Sequence, residues 1–263
     1  MRTALCLSGP VGFLYTNKRS YTWERDIDYR IGYEHYKKHL FDVNDNVDVF
    51  IFSWSTDYED RLDEIYKPKK SKYSEQIDFK PEMKKQSTKD KWCTRFNHKV
   101  SRWYGFKQVI QLKSEFEKEN NFEYDWVISS RFDEAFMSDL VLEHYPRDGS
   151  IYFPWNANFM THRPRCLEYF YFSDSQGMNK YSTLYDNWEE YGFFDHHDES
   201  YHHAHKLGLP IIMIESLKES IDHDLVRAIY KDCEYMGDTY PGIDNLEKLK
   251  QYPRGNAPEG GRF

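Results

Sequence analysis

The pair Arg131 and Asp133 is the feature of this sequence that most directly suggests chemistry. The two residues follow a short apolar run, residues 124–130, whose length and polar boundaries predict a buried strand. Side chains alternate along a strand, so residues two positions apart are expected on the same side. A cation and a carboxylate at the carboxyl end of a buried strand indicate a ligand site, because open α/β sheets bind ligands at that edge.

A turn that contains glycine and proline follows the first predicted strand, residues 3–7. Ser8, Gly9 and Pro10 begin this turn, and turns of this kind bring backbone N–H groups close to a phosphate. An ordinary connection between a strand and a loop has the same composition. The three residues are therefore candidates for contact with a phosphate, with the ordinary turn as the alternative.

The second predicted strand, residues 46–52, also ends in polar and aromatic residues. Trp54 and Asp57 follow it. The indole of Trp54 is suited to stacking on a nucleotide base, and the carboxylate of Asp57 is suited to accepting a hydrogen bond from a ribose or a base. Packing at the edge of the core is the alternative for Trp54.

A long charged segment, residues 58–98, separates this strand from the next clear helix. It is rich in Lys, Glu, Asp and Ser, and we predict a charged excursion or lid with one or two short helices. Apolar residues at spacings of three and four then predict a helix over residues 99–120. Arg102 and Lys107 lie near its predicted start, where a helix N-terminus and added cations favour an anion.

Eight His, Asp and Glu residues fall within residues 195–205. This density is compatible with the zinc site of a metal hydrolase, although the spacing does not match HExxH and no cysteine joins the cluster. A helix that begins near Asp198, with acids in its first turn, is the alternative explanation. Gly208 then marks the end of that helix.

Composition excludes several classes of protein. A net charge of −8 argues against non-specific binding to nucleic acid, which needs a basic surface. The four cysteines are far apart without CxxC spacing, so we expect reduced thiols in a cytoplasmic protein. No run approaches the roughly 18 apolar residues of a membrane span, so we expect no integral membrane segment. The Gly-, Pro- and Asn-rich composition of residues 253–263 predicts a flexible tail.

Strands with polar carboxyl ends, separated by helices, predict an α/β fold with a mainly parallel central sheet flanked by helices. Five segments carry a family resemblance by their order and spacing: residues 5–9, 47–54, 124–133, 172–178 and 199–208. Together they resemble the GT-A-type glycosyltransferases of bacteria and large viruses that build surface polysaccharides. The resemblance implies a single GT-A-like, Rossmann-like domain over residues 1–252.

The same resemblance implies transfer of a sugar from a nucleotide-sugar donor to a glycan acceptor. Asp133 stands at the place of the last acid in the DxD-like motif of the family, which implies a Mn²⁺ or Mg²⁺ ion that bridges the two phosphates of the donor. Arg131 stands where the first acid is expected. It either contacts the diphosphate or pairs with an acid and holds Asp133 in place. A purely structural Arg–Asp pair is the alternative.

Acceptor residues are implied by the later segments. Glu199 matches an acid that opens a late helix and faces the acceptor, which implies a general base. Asp198 is the neighbouring alternative for that role. Trp155 and Glu168 are candidates for acceptor binding. Where relatives often have an Asn-Asp pair, this chain has Leu167-Glu168, so Glu168 either keeps the carboxylate role at longer reach or the role is lost.

The resemblance also implies contacts with the donor from two residues late in the chain. Arg227 is a candidate for the diphosphate and His223 for the metal ion, as the resemblance implies for this segment. A non-catalytic protein with a degenerate transferase fold, which binds a nucleotide or a glycan, is the alternative function. The arginine in place of the first motif acid motivates that alternative.

Overall fold

The computed structural model describes the backbone of residues 1–12, 26–79, 90–155, 165–191, 196–219 and 221–230. Side chains are described for the same residues except 90–96, 196 and 228. The predicted tail, residues 253–263, and part of the predicted lid lie outside the described residues. Within them, no helix combines the length and the apolar composition that crossing a bilayer requires.

Strands and helices alternate along most of the described chain. The strands are β1 (Thr3–Gly9), β2 (Val47–Ser53), β3 (Lys70–Tyr73), β4 (Trp126–Ser130), β5 (Glu134–Phe136), β6 (Ile151–Trp155), β7 (Tyr171–Ser173), β8 (Ile211–Lys218) and β9 (His223–Leu225). The α-helices are α1 (Tyr29–Tyr36), α2 (Glu59–Tyr66), α3 (Asp90–Asn120), α4 (Ser175–Tyr181), α5 (Leu184–Asn187), α6 (His196–Lys206) and α7 (Val226–Ile229). A π-helical turn at Lys37–Phe41 extends α1, and 3-10 turns lie at Thr56–Tyr58, Leu142–His144 and Trp188–Glu190.

Seven of the described strands form one central sheet in the order β3-β2-β1-β4-β7-β6-β8. β1 pairs in parallel with β2 on one side and with β4 on the other. β3 is parallel to β2 and β8 is parallel to β6, whereas β7 is antiparallel to both of its neighbours. The prediction of an α/β fold with a mainly parallel sheet is therefore confirmed. β5 and β9 form a separate two-stranded sheet.

The order of the strands reverses at β1. The chain first adds β2 and β3 on one side of β1, and then returns through α3 to place β4 on its other side. Such a reversal is a topological switch point, and in open α/β sheets a ligand crevice forms outside the carboxyl ends of the strands at that point. The fold therefore locates the expected crevice between the ends of β1 and β4.

Apolar side chains fill both faces of the central sheet. Along β1, Ala4 and Cys6 face one core, and Leu5 and Leu7 face the other, as the two-residue period of a strand requires. The first core lies under α3, α4 and α6, and the second lies under α1 and α2. All four side chains are fully buried, which is typical of a central strand in a parallel sheet that is covered on both faces.

A buried lysine fixes α3 to its surroundings. The Lys113 Nζ atom donates to Glu117 Oε2 at 2.8 Å, to Ser175 Oγ at 2.6 Å and to Asn179 Oδ1 at 2.9 Å. An ammonium group has three donors, so all of them are used. Glu117 Oε1 also accepts from the backbone N–H of Tyr124 at 2.8 Å. The network joins α3, the start of α4 and the approach to β4.

The long helix begins earlier than predicted. It starts at Asp90 rather than at residue 99, because polar residues such as Lys91, Thr94 and Arg95 interrupt the apolar pattern of its first turns. Arg102 and Lys107 therefore lie inside the helix, and a helix N-terminus cannot favour an anion at these positions.

Several other helices and strands also differ from the elements that the sequence predicts. The predicted excursion contains α2 but also the edge strand β3, whose four residues are mostly polar. Aromatic and apolar residues at spacings of three and four predict one helix over residues 177–188, but the structure divides this region into α4, α5 and a 3-10 turn. β5 and β9 were not predicted, because strands of three residues are too short to show a period.

Helix α1 packs closely against the segment that follows β4. A Cβ atom at Gly32 would lie 2.2 Å from the carbonyl oxygen of Phe132. One turn later, the hydroxyl of Tyr36 donates to the carbonyl oxygen of Arg131 at 2.5 Å and lies 2.7 Å from Ser130 Oγ. The helix therefore holds the backbone that presents the Arg131 side chain.

We expect Gly32→Ala to lower the free energy of unfolding by about 1–3 kcal/mol, the usual cost of overpacking. Gly105→Ala is the matched control, because a Cβ at this other helical glycine makes an ordinary contact of 3.4 Å with Phe52 Cδ1. Alanine in place of a helical glycine raises the free energy of unfolding by about 0.5–1 kcal/mol when its methyl group fits. Urea denaturation measures both variants, and equal stabilities would contradict the packing described for α1.

Candidate functional site

The carboxyl ends of β1 and β2 are joined by hydrogen bonds. The backbone N–H of Trp54 donates to the carbonyl of Gly9 at 3.4 Å, and the N–H of Val11 donates to Ser55 Oγ at 3.1 Å. Pro10 has no N–H group. Two of the turn residues after β1 therefore have no backbone donor left for a phosphate, which weakens the interpretation of this turn as a phosphate cradle.

The turn after β1 also touches the segment after β4. A Cβ atom at Gly12 would lie 3.2 Å from the Cβ of Asp133 and 3.0 Å from the Cβ of Ile27. Gly12 has φ of +138°, a conformation that glycine adopts without strain. This position therefore needs glycine for both space and backbone conformation. The ends of β1, β2 and β4 meet at one edge of the sheet, as the sequence predicted.

Asp133 lies between two arginines, and these three residues are called the Asp133 cluster below. Arg131 Nε and Nη2 donate to the two carboxylate oxygens at 2.6 and 2.9 Å. Arg227 Nη1 donates to Asp133 Oδ2 at 2.7 Å, and the N–H of Val226 donates to the Asp133 carbonyl at 2.8 Å. The Asp133 side chain is 1% exposed, whereas those of Arg131 and Arg227 are 22% and 20% exposed. Residues 131 and 133 therefore lie on the same side, as predicted, and of the alternatives given for Arg131 the structure shows a direct pair with Asp133.

The two arginines decide the charge state of Asp133. Burial acts to raise the pKa of this carboxyl group, but the positive charges of Arg131 and Arg227 and the hydrogen bond from Arg131 outweigh it. The pKa of Asp133 is therefore lowered below its ordinary value. The carboxylate stays ionised and fixes the orientation of both guanidinium groups.

His223 lies beside Glu134 in the small β5–β9 sheet. Its Nδ1 atom is 2.8 Å from Glu134 Oε1, and both side chains are fully buried. Burial raises the pKa of Glu134 well above its ordinary value and lowers the pKa of His223 to about 4. Both directions favour a neutral pair. Glu134 Oε2 and His223 Nε2 have no hydrogen-bond partner among the described residues.

Three further ion pairs, called the three-pair cluster below, connect α3, the segment before β7 and the first turn of α6. Their carboxylates are at most 2% exposed, and their cations are 8–26% exposed. The pairs are Lys99 Nζ with Glu199 Oε1 at 2.5 Å, Arg102 Nε with Glu168 Oε2 at 3.6 Å, and Arg165 Nε with Asp198 Oδ1 at 2.7 Å.

The antiparallel strand β7 connects the two clusters. Ser129 pairs with Tyr171, so the residues just before β7 lie beside the residues just after β4. Burial and then the charge of Glu219 raise the pKa of Tyr169, and the nearby charge of Arg131 opposes this shift. Glu168 is the next residue along the chain. The three-pair cluster therefore lies at the same edge of the sheet as the Asp133 cluster.

Trp54 is packed into the edge of the core. It is 8% exposed, its ring stacks on Tyr104 with a centroid distance of 5.5 Å, and its edge contacts Phe52 at 4.8 Å. The indole Nε1 has no hydrogen-bond partner among the described residues. The alternative of core-edge packing therefore describes this residue, and stacking on a base stays a prediction.

Four other predicted residues are more widely spread. Ser8 is half-buried within β1, and Asp57 is exposed in the 3-10 turn after β2. Lys107 Nζ contacts Asp186 Oδ1 at 2.5 Å on the protein surface, so the structure does not bring it to either cluster. Trp155 ends β6, where the sheet register shifts.

The histidines of α6 make separate contacts instead of converging. His203 Nδ1 is 2.7 Å from the Tyr191 hydroxyl and its Nε2 is 3.2 Å from Thr183 Oγ1. His197 Nδ1 is 2.9 Å from the carbonyl oxygen of Cys166. In the part of the chain that the structure describes, no group of three or more His, Cys, Asp and Glu residues is arranged to hold a metal ion. These contacts fit the helix interpretation of residues 195–205.

The residues expected to hold Mn²⁺ or Mg²⁺ do not fit a metal ion in this arrangement. A carboxylate offers about four lone-pair positions, and Asp133 already uses three of them for Arg131 and Arg227. A dication at Asp133 would lie next to two positive charges. His223 is directed to Glu134 and not to Asp133. We therefore derive no chemical step through a metal ion.

Some residues of the site were not predicted. Glu134 directly follows Asp133. Its acidic side chain within the otherwise largely apolar segment 132–136 is a signal that could have identified it. Lys99 was assigned only to a helix start, and nothing local in the sequence pairs it with Glu199, which is 100 positions away.

Comparisons with known proteins leave the family of this chain open. A scan against protein-family models finds no match, and a search of curated proteins finds none either. The resemblance to GT-A glycosyltransferases rests on the five sequence segments, and the functional assignments that follow are proposals.

The pH dependence of stability is expected to contain a contribution from His203. Burial, followed by the charge of Lys206, lowers the pKa of His203 to about 4, whereas an unfolded histidine has a pKa of about 6.5. Between these values the unfolded state binds one more proton at this residue. Its contribution to the free energy of unfolding therefore falls as pH drops from about 6.5 to about 4, by up to about 1.4 kcal/mol per pH unit.

His203→Gln is expected to remove this contribution from urea denaturation curves measured across that pH range. His205→Gln is the matched control, because it changes an exposed position of the same helix and leaves the Tyr191 and Thr183 contacts in place. A His203→Gln protein with the pH dependence of the unchanged protein would contradict a neutral, buried His203.

Proposed function

We propose that this chain is a glycosyltransferase that moves a sugar from a nucleotide-sugar donor to a glycan acceptor. The observation that supports this most is the position of the Asp133 cluster at the topological switch point. Two guanidinium groups there reach solvent beside the glycine turn after β1. Open α/β sheets bind nucleotides at this point, and arginine suits phosphate groups because its fork of donors matches their oxygens.

The proposed reaction forms one bond and breaks one bond at the donor sugar. The hydroxyl oxygen of the acceptor bonds to C1 of the sugar, and the bond between C1 and the phosphate oxygen breaks. The electron pair of the broken bond stays on the nucleoside diphosphate, so negative charge grows beside Arg131 and Arg227. Fixed positive groups stabilise charge that develops in the transition state.

The acceptor hydroxyl must also lose a proton. Glu199 is our first candidate for the general base and Asp198 is the second, because both carboxylates lie in the three-pair cluster at the same edge of the sheet. Glu168 shares that cluster, and Trp155 ends β6, which is separated from β4 by β7 alone. We assign both residues to the acceptor side.

Asp133→Ala is expected to lower transfer by about 100-fold or more, the scale on which loss of transition-state charge stabilisation acts, because both guanidinium groups lose their orientation. Asp125→Ala is the matched control, since Asp125 forms an Arg–Asp pair with Arg147 just before β4, at the opposite edge of the sheet. A thermal-shift panel of nucleotide sugars, with and without Mn²⁺, first identifies the donor, because a ligand stabilises the folded state by mass action.

Removal of one partner of a buried ion pair costs about 3–5 kcal/mol, so circular dichroism must show that the Asp133→Ala protein is folded. Asp133→Asn serves as a second variant, because it keeps the shape of the side chain. Full transfer activity in either folded variant would overturn the role of Asp133.

Glu199→Gln is expected to lower kcat by about 100-fold or more with an unchanged Kd for the donor, because a general base contributes about 10²–10⁴-fold to rate. Asp198→Asn is the matched variant one position away. Steady-state kinetics and calorimetric donor binding measure both. A larger loss of kcat in Asp198→Asn would move the role of base to that residue, and loss of donor binding in Glu199→Gln would show a different role.

A non-catalytic nucleotide- or glycan-binding protein is the second candidate function. Glu199 favours it, because its side chain is fully buried and Lys99 lies 2.5 Å from Oε1, whereas a base must reach the acceptor hydroxyl. Slow hydrolysis of the identified donor by the purified protein separates the two functions. Hydrolysis above the rate in buffer supports the transferase, and donor binding without hydrolysis or transfer supports the binding protein.

A further inference from the structure

The Asp133 cluster turns its positive groups toward solvent and its negative group toward the interior. The carboxylate is 1% exposed, whereas the two arginine side chains are 22% and 20% exposed. A ligand at this edge therefore meets guanidinium groups before it meets the carboxylate. The three groups in direct contact also carry two positive charges against one negative charge. Within these three groups, the exposed charges favour an anion over a dication as a direct contact.

The geometry of Arg131 leaves donors available beyond Asp133. Arginine has five N–H donors, and the contact through Nε and Nη2 uses two of them. The Nη1 atom of Arg131 takes part in no hydrogen bond among the described residues. The two-point contact with the carboxylate fixes the plane of the guanidinium group, so these remaining donors point in a defined direction.

Glu219 and Asp224 also lie near the cluster, and their charges act on Glu134, Tyr169 and His223. The pKa of Glu134 is raised well above its ordinary value, first by burial and further by the charges of Asp133, Asp224 and Glu219, against the opposing charge of Arg131. The neutral form of Glu134 is thereby favoured. The oxygen Oδ1 of Asp224 accepts from the backbone N–H of Leu225.

We propose that Arg131 and Arg227 bind the diphosphate of the nucleotide sugar directly and take the place of a divalent metal ion. This inference rests on the transferase function proposed above. Asp133 is then a positioning residue that holds both guanidinium groups. The chemistry needs no further reagent, because the electron pair of the broken C1–O bond goes to the phosphate oxygen next to the arginines and the acceptor proton goes to a carboxylate.

Calorimetric titration of the metal-free protein tests this inference. The full chain is dialysed against EDTA and titrated with the 5′-diphosphates of uridine, guanosine, adenosine, cytidine and thymidine, first in EDTA and then with Mn²⁺ and with Mg²⁺ in place of EDTA. We expect one of these nucleotides to bind in EDTA with a Kd that the metal ions change less than about threefold.

Arginine variants identify the groups that bind the phosphates. Arg227→Gln and Arg131→Gln are each expected to raise the Kd in EDTA about tenfold or more, the scale of one hydrogen bond between charged groups. Arg227→Lys keeps the positive charge but loses the planar set of donors of the guanidinium group. Its Kd is expected to lie between those of Arg227→Gln and the unchanged protein. Arg147→Gln is the matched control at the opposite edge of the sheet, and thermal melting verifies that each variant is folded.

The outcomes separate this inference from the proposed function. Binding that appears only with Mn²⁺ or Mg²⁺ overturns the inference and leaves the transferase standing. Binding in EDTA that neither arginine variant weakens also overturns it. Absence of binding by every nucleotide under all conditions overturns the transferase and the inference together.

Discussion

The parallel pairing of β1 with strands on both of its sides is the constraint on which the rest of this structure depends. β1 is buried on both faces, so its side chains are almost entirely apolar and its polar chemistry is moved to its carboxyl end. Because β2 and β4 run in the same direction, their polar ends arrive at the same edge. Helix α1 then supports that edge from one face and α3 from the other. The meeting of these polar ends is a consequence of strand direction and order, before any individual side chain is considered.

Buried charges divide into two kinds in this fold. Lys113 is fully buried and each of its three donors has an acceptor, so its network is complete and has no capacity for a ligand. The arginines of the Asp133 cluster are partly exposed, and Arg131 keeps donors beyond those that Asp133 uses. A network in which every donor has an acceptor stabilises packing. A cation that a carboxylate holds in place, and that keeps further hydrogen-bond donors, can bind an anion. This difference is the physical basis for treating the Asp133 cluster as a site and Lys113 as structure.

The charge pattern of the cluster also matters because the whole chain is acidic. With a net charge of −8, the protein as a whole repels a nucleotide sugar, and a local positive group must provide the attraction. Two partly exposed arginines at one edge of the sheet act over a short range and do not need a basic surface elsewhere. The expected absence of nucleic-acid binding and the proposed binding of a small anion are therefore compatible. Nucleic acid needs a positive surface over many residues, whereas a small anion needs only a few local positive groups.

Much of the fold was predictable from the sequence, and less of the site. The apolar runs that became β1, β2 and β4 were identified because burial on both faces leaves a continuous apolar signal, and the ends of these strands meet at one edge of the sheet as predicted. β3, β5 and β9 were missed because short or polar strands have no such signal, and α3 was predicted too short because its first turns are mostly polar. By itself the sequence determined the fold class and the position of Arg131 and Asp133 on the same side at the end of a buried strand. The tertiary structure alone decided that Arg227 joins Asp133 from 94 positions away and that Lys99 joins Glu199 from 100 positions away. Ion pairs of this kind depend on which strand ends the topology brings together, and no local pattern of residues encodes that.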